Sequence, residues 1–326
     1  MNSPVLSPHR RRATVMLLLV TGFWGMSFPL MKAAGMLAAV HAPNAGTWFF
    51  TAMMLAPRYI LATAVLAIVL GAGLRHITRL EWKQGLAIGG FASMGMLFQA
   101  DGLQFTAAST SAFLSQFYAI LIPLWVAWRT HRNPGATVWF CCGLVLVGVA
   151  VLGRFDWHEM RLGRGESETL LASVFFMGQI LMLERKEFAL NRVVPITLVM
   201  FMVQMLVFTG LALVTTPSWG ALVAPLSSGP WWMFNLTLTI FCTLGAFLLM
   251  NRWQKEISST EAGVLYCMEP VVSSGMAAFL PGLFSIWAGI SYANEGITRH
   301  LLIGGGCILL ANVWLQLRPP PPRLSD

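Results

Sequence analysis

Two charged side chains lie near the middle of long apolar runs and are the first candidates for binding chemistry. Glu269 lies about half-way along the run 259–281, beside Pro270, and Arg58 lies near the middle of the run 48–73. An ionisable group inside such a run costs roughly 2.5–3.5 kcal/mol on insertion scales, so each needs a structural partner or a ligand. Glu269 could bind a cation, a substrate amine or a proton, and Arg58 could neutralise a substrate carboxylate. A structural pair with Glu269 is the favoured interpretation for Arg58, whereas both roles stay open for Glu269.

Three further ionisable residues have a simpler explanation. Lys32, Asp101 and Glu261 lie near the ends of their apolar runs. Side chains at such positions can place their charged heads in the polar interface of a membrane. We therefore expect these three residues to be interfacial.

Uncharged polar side chains within apolar runs form a second group of candidates. Lipid offers them no hydrogen-bond partner, so we expect them to face the interior of a helix bundle, where they bind each other or a substrate. Trp24 could add an aromatic wall or a cation–π surface to such a site. The polar candidates are Gln99, Gln116, Tyr118, Gln179 and Tyr266.

Two prolines follow these polar residues closely along the chain. Gln116 and Tyr118 precede Pro123, and Tyr266 lies one turn before Pro270. A proline removes one intrahelical hydrogen bond and can bend its helix. We therefore predict helix breaks at Pro123 and Pro270, beside a polar cavity.

The sequence predicts no catalytic residue, no metal site and no cofactor. The five cysteines lie in apolar runs without ligand spacing, and the six histidines are scattered. No phosphate-binding glycine loop, nucleophile elbow or group of intramembrane carboxylates is present. A membrane enzyme without transport activity is therefore the weaker alternative.

The composition identifies the solvent of the protein. Of its 326 residues, 56% are hydrophobic and 10% are charged, and the mean hydropathy is +0.68. A soluble domain has about 25% charged residues. Most of this chain must therefore face lipid, and a soluble, disordered or nucleic-acid-binding protein is excluded.

The apolar runs are long enough to cross a bilayer as helices. A spanning helix needs roughly 20 apolar residues, since its backbone groups must be bonded internally. The sequence predicts an all-α membrane protein with ten such helices: 14–35, 48–73, 84–104, 107–128, 135–153, 168–184, 195–215, 230–251, 259–281 and 300–317.

The distribution of basic residues predicts the orientation. With ten spans, 15 of the 21 Lys and Arg residues fall on the side that holds both termini. Basic residues near helix ends favour the cytoplasmic side. We therefore expect a multi-pass protein of the inner (plasma) membrane with both termini in the cytoplasm.

The two halves of the chain resemble each other. The segment 109–114 that opens the fourth span is similar to 259–264, which opens the ninth, and Pro123 corresponds to Pro270. Because each half has five spans, the second copy must be inverted relative to the first. Inverted repeats around a site near the membrane midplane are typical of alternating-access transporters.

Several motifs resemble the drug/metabolite transporter superfamily, EamA type. Trp24-Gly25-Met26-Ser27-Phe28-Pro29-Leu30-Met31-Lys32 resembles its W-G-x-x-F-x-x-x-K signature. Pro57-Arg58-Tyr59-Ile60-Leu61-Ala62 resembles its R-F-x-x-A motif, and Glu269-Pro270 resembles its E-P motif. The resemblance implies two inverted five-helix repeats and transport, usually export, of small metabolites. The segment 36–47 would then be an unusually long first loop.

These observations predict five segments. They are a cytoplasmic N-terminal segment 1–13, a first repeat 14–153, an extracytoplasmic connection 154–167, a second repeat 168–317 and a Pro-rich cytoplasmic tail 318–326.

The predicted function is secondary transport of small polar metabolites, such as amino acids or related amphipathic solutes. A nucleotide-sugar or phosphometabolite carrier is the alternative within the superfamily. The expected partners are a small-molecule substrate, the lipid bilayer and a candidate coupling proton, but no nucleic acid. A monomer and a homodimer both stay open.

Overall fold

The computed structural model describes residues 8–43, 45–106, 108–131, 133–152, 163–296 and 299–317. Helices make up most of these residues, and no strand occurs among them. The all-α fold class is thus confirmed. The predicted Pro-rich tail, most of the predicted connection 154–167 and the first seven residues lie outside the described residues.

The described residues form fifteen α-helices. They are α1 (Pro8–His41), α2 (Thr47–Leu70), α3 (Arg79–Gly102), α4 (Ala108–Ser115), α5 (Tyr118–Thr130), α6 (Ala136–Leu152), α7 (Arg164–Glu184), α8 (Val193–Thr215), α9 (Trp219–Val223), α10 (Gly229–Thr237), α11 (Ala246–Trp253), α12 (Ser259–Tyr266), α13 (Glu269–Ala277), α14 (Leu280–Ala288) and α15 (Arg299–Gln316). A π-helical segment, Leu238–Gly245, joins α10 to α11. A 3₁₀ turn, Gln254–Glu256, follows α11.

Five helical stretches among the described residues are long and apolar enough to cross a membrane. These are His9–Val40, Thr47–His76, Arg164–Leu183, Val193–Thr215 and Gly229–Glu256. The bent pair Ser259–Ala277 and Leu280–Ala288 adds a sixth if it is one span. Helices also occupy the other four predicted runs. Helix α3 carries buried polar residues, and the run 107–128 is divided into α4 and α5. The apolar parts of α6 and α15 are shorter than a span.

The first helix is longer than predicted. It begins at Pro8 and continues to His41, so the expected long loop over 36–47 is reduced to the residues between His41 and Thr47. Proline is tolerated in the first turn of a helix. The alanine-rich segment 33–39 has a high helix propensity, which explains the extension at the other end.

Two predicted spans are interrupted, but only one interruption lies beside its proline. The chain leaves the helix at Gln116 and Phe117, between α4 and α5, and again between α12 and α13, just before Pro270. The predicted break at Pro123 is wrong, because α5 runs through this residue without interruption. The carbonyl of Ala119, which Pro123 deprives of its usual donor, instead accepts a hydrogen bond from the Cys142 thiol (3.5 Å).

The ninth predicted span ends earlier than 281. Helix α13 stops at Ala277, and the chain bends by 51° before α14. Pro281 lies in the first turn of α14, where its missing N–H costs little.

Helix α3 packs closely against α7 and α8, and glycines permit this approach. A Cβ atom at Gly85 would lie 2.5 Å from Val199 Cβ, and one at Gly89 would lie 2.9 Å from Val203 Cβ. Both contacts are shorter than side chains tolerate. The Gly85 and Gly89 spacing therefore serves helix packing within the chain, as small residues do in membrane bundles.

Candidate functional site

A cavity in the helix bundle is lined by residues from both halves of the sequence. Helices α1 to α5 line one part of it, and α7 and α11 to α13 line the rest. The lining residues are Trp24, Ser27, Arg58, Met96, Gln99, Ser115, Gln116, Tyr118, Phe176, Gln179, Ile180, Phe247, Met250, Tyr266 and Glu269. The structure thus brings all eight residues that the sequence proposed for substrate binding to one cavity. Their role in binding stays a prediction.

Arg58 is 1% exposed and carries its charge at the cavity wall. Its Nε and Nη2 atoms donate hydrogen bonds to Thr243 Oγ1 (3.1 and 3.0 Å), and Nη1 contacts Met31 Sδ (3.1 Å). None of these partners is charged. The favoured structural pair between Arg58 and Glu269 is therefore wrong for the described residues, because Thr243 holds the guanidinium instead.

Glu269 is buried in the first turn of α13 and lines the same cavity. Gln116 Nε2 donates a long hydrogen bond to Glu269 Oε2 (3.4 Å), and Tyr118 Oη donates to Gln116 Oε1 (2.7 Å). The N-terminal end of a helix favours a carboxylate through its unpaired N–H groups. No Lys or Arg of the described residues forms an ion pair with Glu269. The hydrogen bond from Gln116 to Glu269 connects the two interrupted helices across the cavity.

An aromatic group closes one side of the cavity. The Trp24 ring lies 5.3 Å from the Tyr266 ring and 5.6 Å from the Phe247 ring, measured between centroids. Tyr266 Oη donates to Gln254 Oε1 (2.9 Å), and Gln254 Nε2 donates to the backbone oxygen of Ile180 (2.8 Å). Gln254 therefore fixes Tyr266 in place and ties the 3₁₀ turn to α7.

Gln179 is weakly bound and faces the cavity. Among the described residues, its Nε2 atom donates only to the sulfur atoms of Met200 and Met250, each at 4.0 Å. Gln99 is also buried at the cavity wall. These two amides are therefore well placed to bind a polar solute.

Sequence reasoning missed Thr243 and Gln254. Threonine is common in spanning helices, and nothing in the sequence indicates the π-helical turn that carries Thr243. Gln254 lies just after the apolar run 230–251, so it is outside the predicted spans. The criterion for polar candidates is that lipid offers no hydrogen-bond partner to a polar side chain within a span. This criterion does not apply to a residue outside the spans.

The cavity lies between ion pairs at the two ends of the bundle. Asp101, which we expected to be interfacial, is fully buried and paired with Arg164, at the start of α7. Glu261 is likewise buried and accepts a hydrogen bond from Arg10 Nε (3.0 Å). Both acids are thus paired with arginines at the ends of the bundle, and their interfacial position stays a prediction. Lys32 is half-buried, and its Nζ lies 5.7 Å from the Tyr292 ring centroid.

A further ion pair lies at the end of the bundle where α1 begins. Arg192 donates to both carboxylate oxygens of Glu81 (2.7 and 2.9 Å). Thr78 and Glu81 also form a capping box at the start of α3. The Arg192 hydrogen bonds lower the pKa of Glu81 to about 2.

The described residues contain no group of three His, Cys, Asp or Glu side chains that could hold a metal ion. The side chains that line the cavity include one cation, one carboxylate, three amides and an aromatic wall.

Comparison with known proteins agrees with this architecture. No family model matches the chain. An uncharacterized transporter of Archaeoglobus fulgidus is 22% identical in an alignment of 324 positions, which covers 95% of this chain and 87% of that protein. A protein of known crystal structure is similar with a TM-score of 0.64 at 17% identity, over 94% of this chain and 97% of that one. At such identity the structural likeness shows the fold alone.

The relative and the apolar helices together support a multi-pass membrane protein and a transporter in general. They suggest a transporter rather than an enzyme. Neither comparison identifies the drug/metabolite transporter superfamily, so that resemblance stays a prediction.

Proposed function

We propose that this chain is a secondary transporter of small metabolites that carry both a carboxylate and an ammonium group, such as amino acids and related amphipathic solutes. The solute would bind in the central cavity and cross the membrane by alternating access. Export is the proposed direction, in line with the resemblance described above.

One observation carries this proposal: Arg58 and Glu269 line the same cavity, and neither has a partner of opposite charge among the described residues. Burying an unpaired charge is costly. A zwitterionic solute would supply both missing charges, because its carboxylate could bind Arg58 and its ammonium group could bind Glu269. In the absence of solute, a proton on Glu269 could neutralise this residue, which makes it the candidate site for a coupling proton.

The packing of the helices supports the proposed inverted repeats. If α1 to α6 correspond to α7 to α15, α2 and α6 each pack against their own counterparts, α8 and α15. Helix α3 packs against α7, and its counterpart α11 packs against α1. Likewise α4 packs against α7, and its counterpart α12 packs against α1. Such exchange is expected of two copies related by a two-fold axis.

The interrupted helices also correspond. The break after α4 and the break after α12 lie at the same distance from the start of the matching segments at 109 and 259, within one residue. On this proposal the chain has ten membrane-crossing segments, and the second five are inverted. The excess of basic residues at the end that holds Arg10 supports cytoplasmic termini.

A carrier of nucleotide sugars or other phosphometabolites is the alternative. Phosphate groups would need several cations in the cavity, whereas Arg58 is the one Lys or Arg among the lining residues that the structure describes. A zwitterion with one negative charge fits this lining better.

The proposal is tested in liposomes that contain the purified protein and are loaded with a single amino acid. Each of the twenty proteinogenic L-amino acids is measured separately in radiolabelled form. We expect saturable counterflow of at least one of them, with the solute chemically unchanged by mass spectrometry. Protein-free liposomes serve as the control. Absence of counterflow for all twenty would contradict the proposal, and a chemically altered solute would favour an enzyme.

A further inference from the structure

The π-helical segment Leu238–Gly245 carries the hydroxyl group that contacts Arg58. Thr243 is fully buried, and its Oγ1 donates a hydrogen bond to the backbone oxygen of Leu238, five residues earlier (2.9 Å). π-helical turns are rare and frequently occur at functional sites. Thr243, Phe247 and Met250 follow one another at helical spacing, and the latter two line the cavity. The hydroxyl group therefore lies on the helix face that is directed toward the site.

The hydrogen bond to Leu238 determines how Thr243 can bind Arg58. A hydroxyl group has one proton and two acceptor lone pairs. Because the proton is donated to the Leu238 carbonyl, both lone pairs are available as acceptors. They receive Nε–H and one Nη2–H of Arg58 at 3.1 and 3.0 Å. Thr243 thus holds the side edge of the guanidinium group.

The remaining donors of Arg58 form a free edge. A guanidinium group has five N–H donors. Thr243 accepts two of them and Met31 Sδ accepts one from Nη1. One N–H of Nη1 and one of Nη2 have no partner among the described residues. Two N–H groups on the Nη atoms of one guanidinium can donate to the two oxygen atoms of a carboxylate.

We infer that Thr243 is a positioning residue, which directs the free Nη1 and Nη2 edge of Arg58 into the cavity and thereby makes the transporter prefer solutes with a carboxylate group. The inference rests on the proposed function, because it concerns the same cavity and the same class of solute. It adds a residue and a physical cause for the selectivity. Without the hydroxyl group, the guanidinium would lose both bonds that hold its side edge.

The test compares each amino acid with the amine that its decarboxylation yields, by counterflow in liposomes. In Thr243→Val the shape of the side chain is retained and the hydroxyl group is lost. We expect the KM of the best amino acid to rise about tenfold, with a smaller change in kcat, and the preference over its amine to fall by a similar factor. Thr243→Ser keeps the hydroxyl group and should stay within about twofold of the unmodified protein.

Thr239→Val is the matched control. Thr239 is buried in the same π-helical segment, but its hydroxyl group donates only to the backbone oxygen of Asn235 (2.7 Å). Its substitution should leave the preference unchanged. If Thr243→Val does not fold, Thr243→Ala is measured instead, with the same expectation.

The outcomes separate the two proposals. Counterflow with an unchanged preference in Thr243→Val, or a lost preference in Thr243→Ser, would overturn the inference and leave the proposed function intact. If the unmodified protein exchanges none of the twenty amino acids, the proposed function fails and the inference fails with it.

Discussion

Arg164 forms an ion pair with Asp101 and so connects the end of α3 to the start of α7. Asp101 is fully buried, whereas the Arg164 side chain is 44% exposed. Thr51 Oγ1 also donates to Asp101 (3.0 Å), and the Phe105 ring centroid lies 4.3 Å from Arg164 Cζ. These contacts join three helices at the end of the bundle where α1 finishes. They are well placed to close that end of the cavity.

Removal of Arg164 should destabilise the protein more than removal of the charge on Asp101. Arg164→Gln leaves a buried carboxylate without its cation and should lower the midpoint of thermal unfolding clearly. Asp101→Asn leaves no buried charge and should cost about 1 kcal/mol. Thermal unfolding in detergent measures both effects. Arg185→Gln, which removes an exposed pair with Glu187, is the control and should have no measurable effect. Equal midpoints for Arg164→Gln and the control would contradict a structural role for the pair.

The pair of Glu81 and Arg192 predicts a loss of stability in acid. The folded-state pKa of Glu81 is about 2, below its ordinary value of 4.5. A lowered pKa contributes stability that is present above the unfolded pKa and is lost as the pH falls toward the folded pKa. The midpoint temperature of thermal unfolding should therefore decrease as the pH is lowered from about 4.5 to about 2.

Glu81→Gln isolates this contribution, since glutamine preserves the capping box and removes the charge. The difference in midpoint between Glu81→Gln and the unmodified protein should be largest at neutral pH and shrink in acid. Arg192→Gln should reduce the pH dependence in the same way. A constant difference at every pH would show that the Glu81 charge has no role in stability.

The close approach of α3 and α8 predicts opposite effects of alanine at two neighbouring glycines. Gly85→Ala would place a Cβ atom 2.5 Å from Val199 Cβ, so the helices must move apart, at a cost of about 1–3 kcal/mol. Gly90→Ala, on the same helix, meets nothing within 4 Å and should be neutral or stabilising because alanine favours the helix. Thermal unfolding of the two variants measures this. Equal midpoints would contradict the packing of α3 on α8.

The residues that line the cavity could be predicted from the sequence better than their arrangement. Arg58, Glu269 and Gln116 stand out because lipid offers polar groups no partners, so they had to face the interior. Their mutual arrangement could not be predicted. The pairing of Arg58 with Thr243 depends on a π-helical register that has no sequence signature.

Helix boundaries were predicted less well, for a related reason. The break before α5 lies at Gln116 and Phe117, although Pro123 is the residue that lacks an N–H group. The Cys142 thiol compensates the free carbonyl of Ala119, and this contact comes from a different helix. Tertiary contacts of this kind decide whether a proline breaks its helix, and local sequence does not record them.

Substitution of Glu269 should change how transport depends on pH. Glu269→Gln keeps the shape and the contact with Gln116 but removes the charge and the proton-binding site. We expect weaker binding of solutes with an ammonium group and a flatter pH profile of counterflow between pH 5 and pH 9. Glu184→Gln alters a half-buried acid at the end of α7, outside the cavity lining; it is the control and should keep the original profile. Normal transport by Glu269→Gln at every pH would make Glu269 a structural residue.

Counterflow by variants of the two cavity charges tests the central claim most directly. The amino acid that the unmodified protein exchanges best is measured with Arg58→Gln, Glu269→Gln and the surface control Arg185→Gln, after each is shown to fold by its thermal unfolding. We predict that kcat/KM falls at least tenfold in each cavity variant and stays within twofold in the control. Folded cavity variants that exchange the amino acid as efficiently as the control would contradict the claim that Arg58 and Glu269 bind the transported solute.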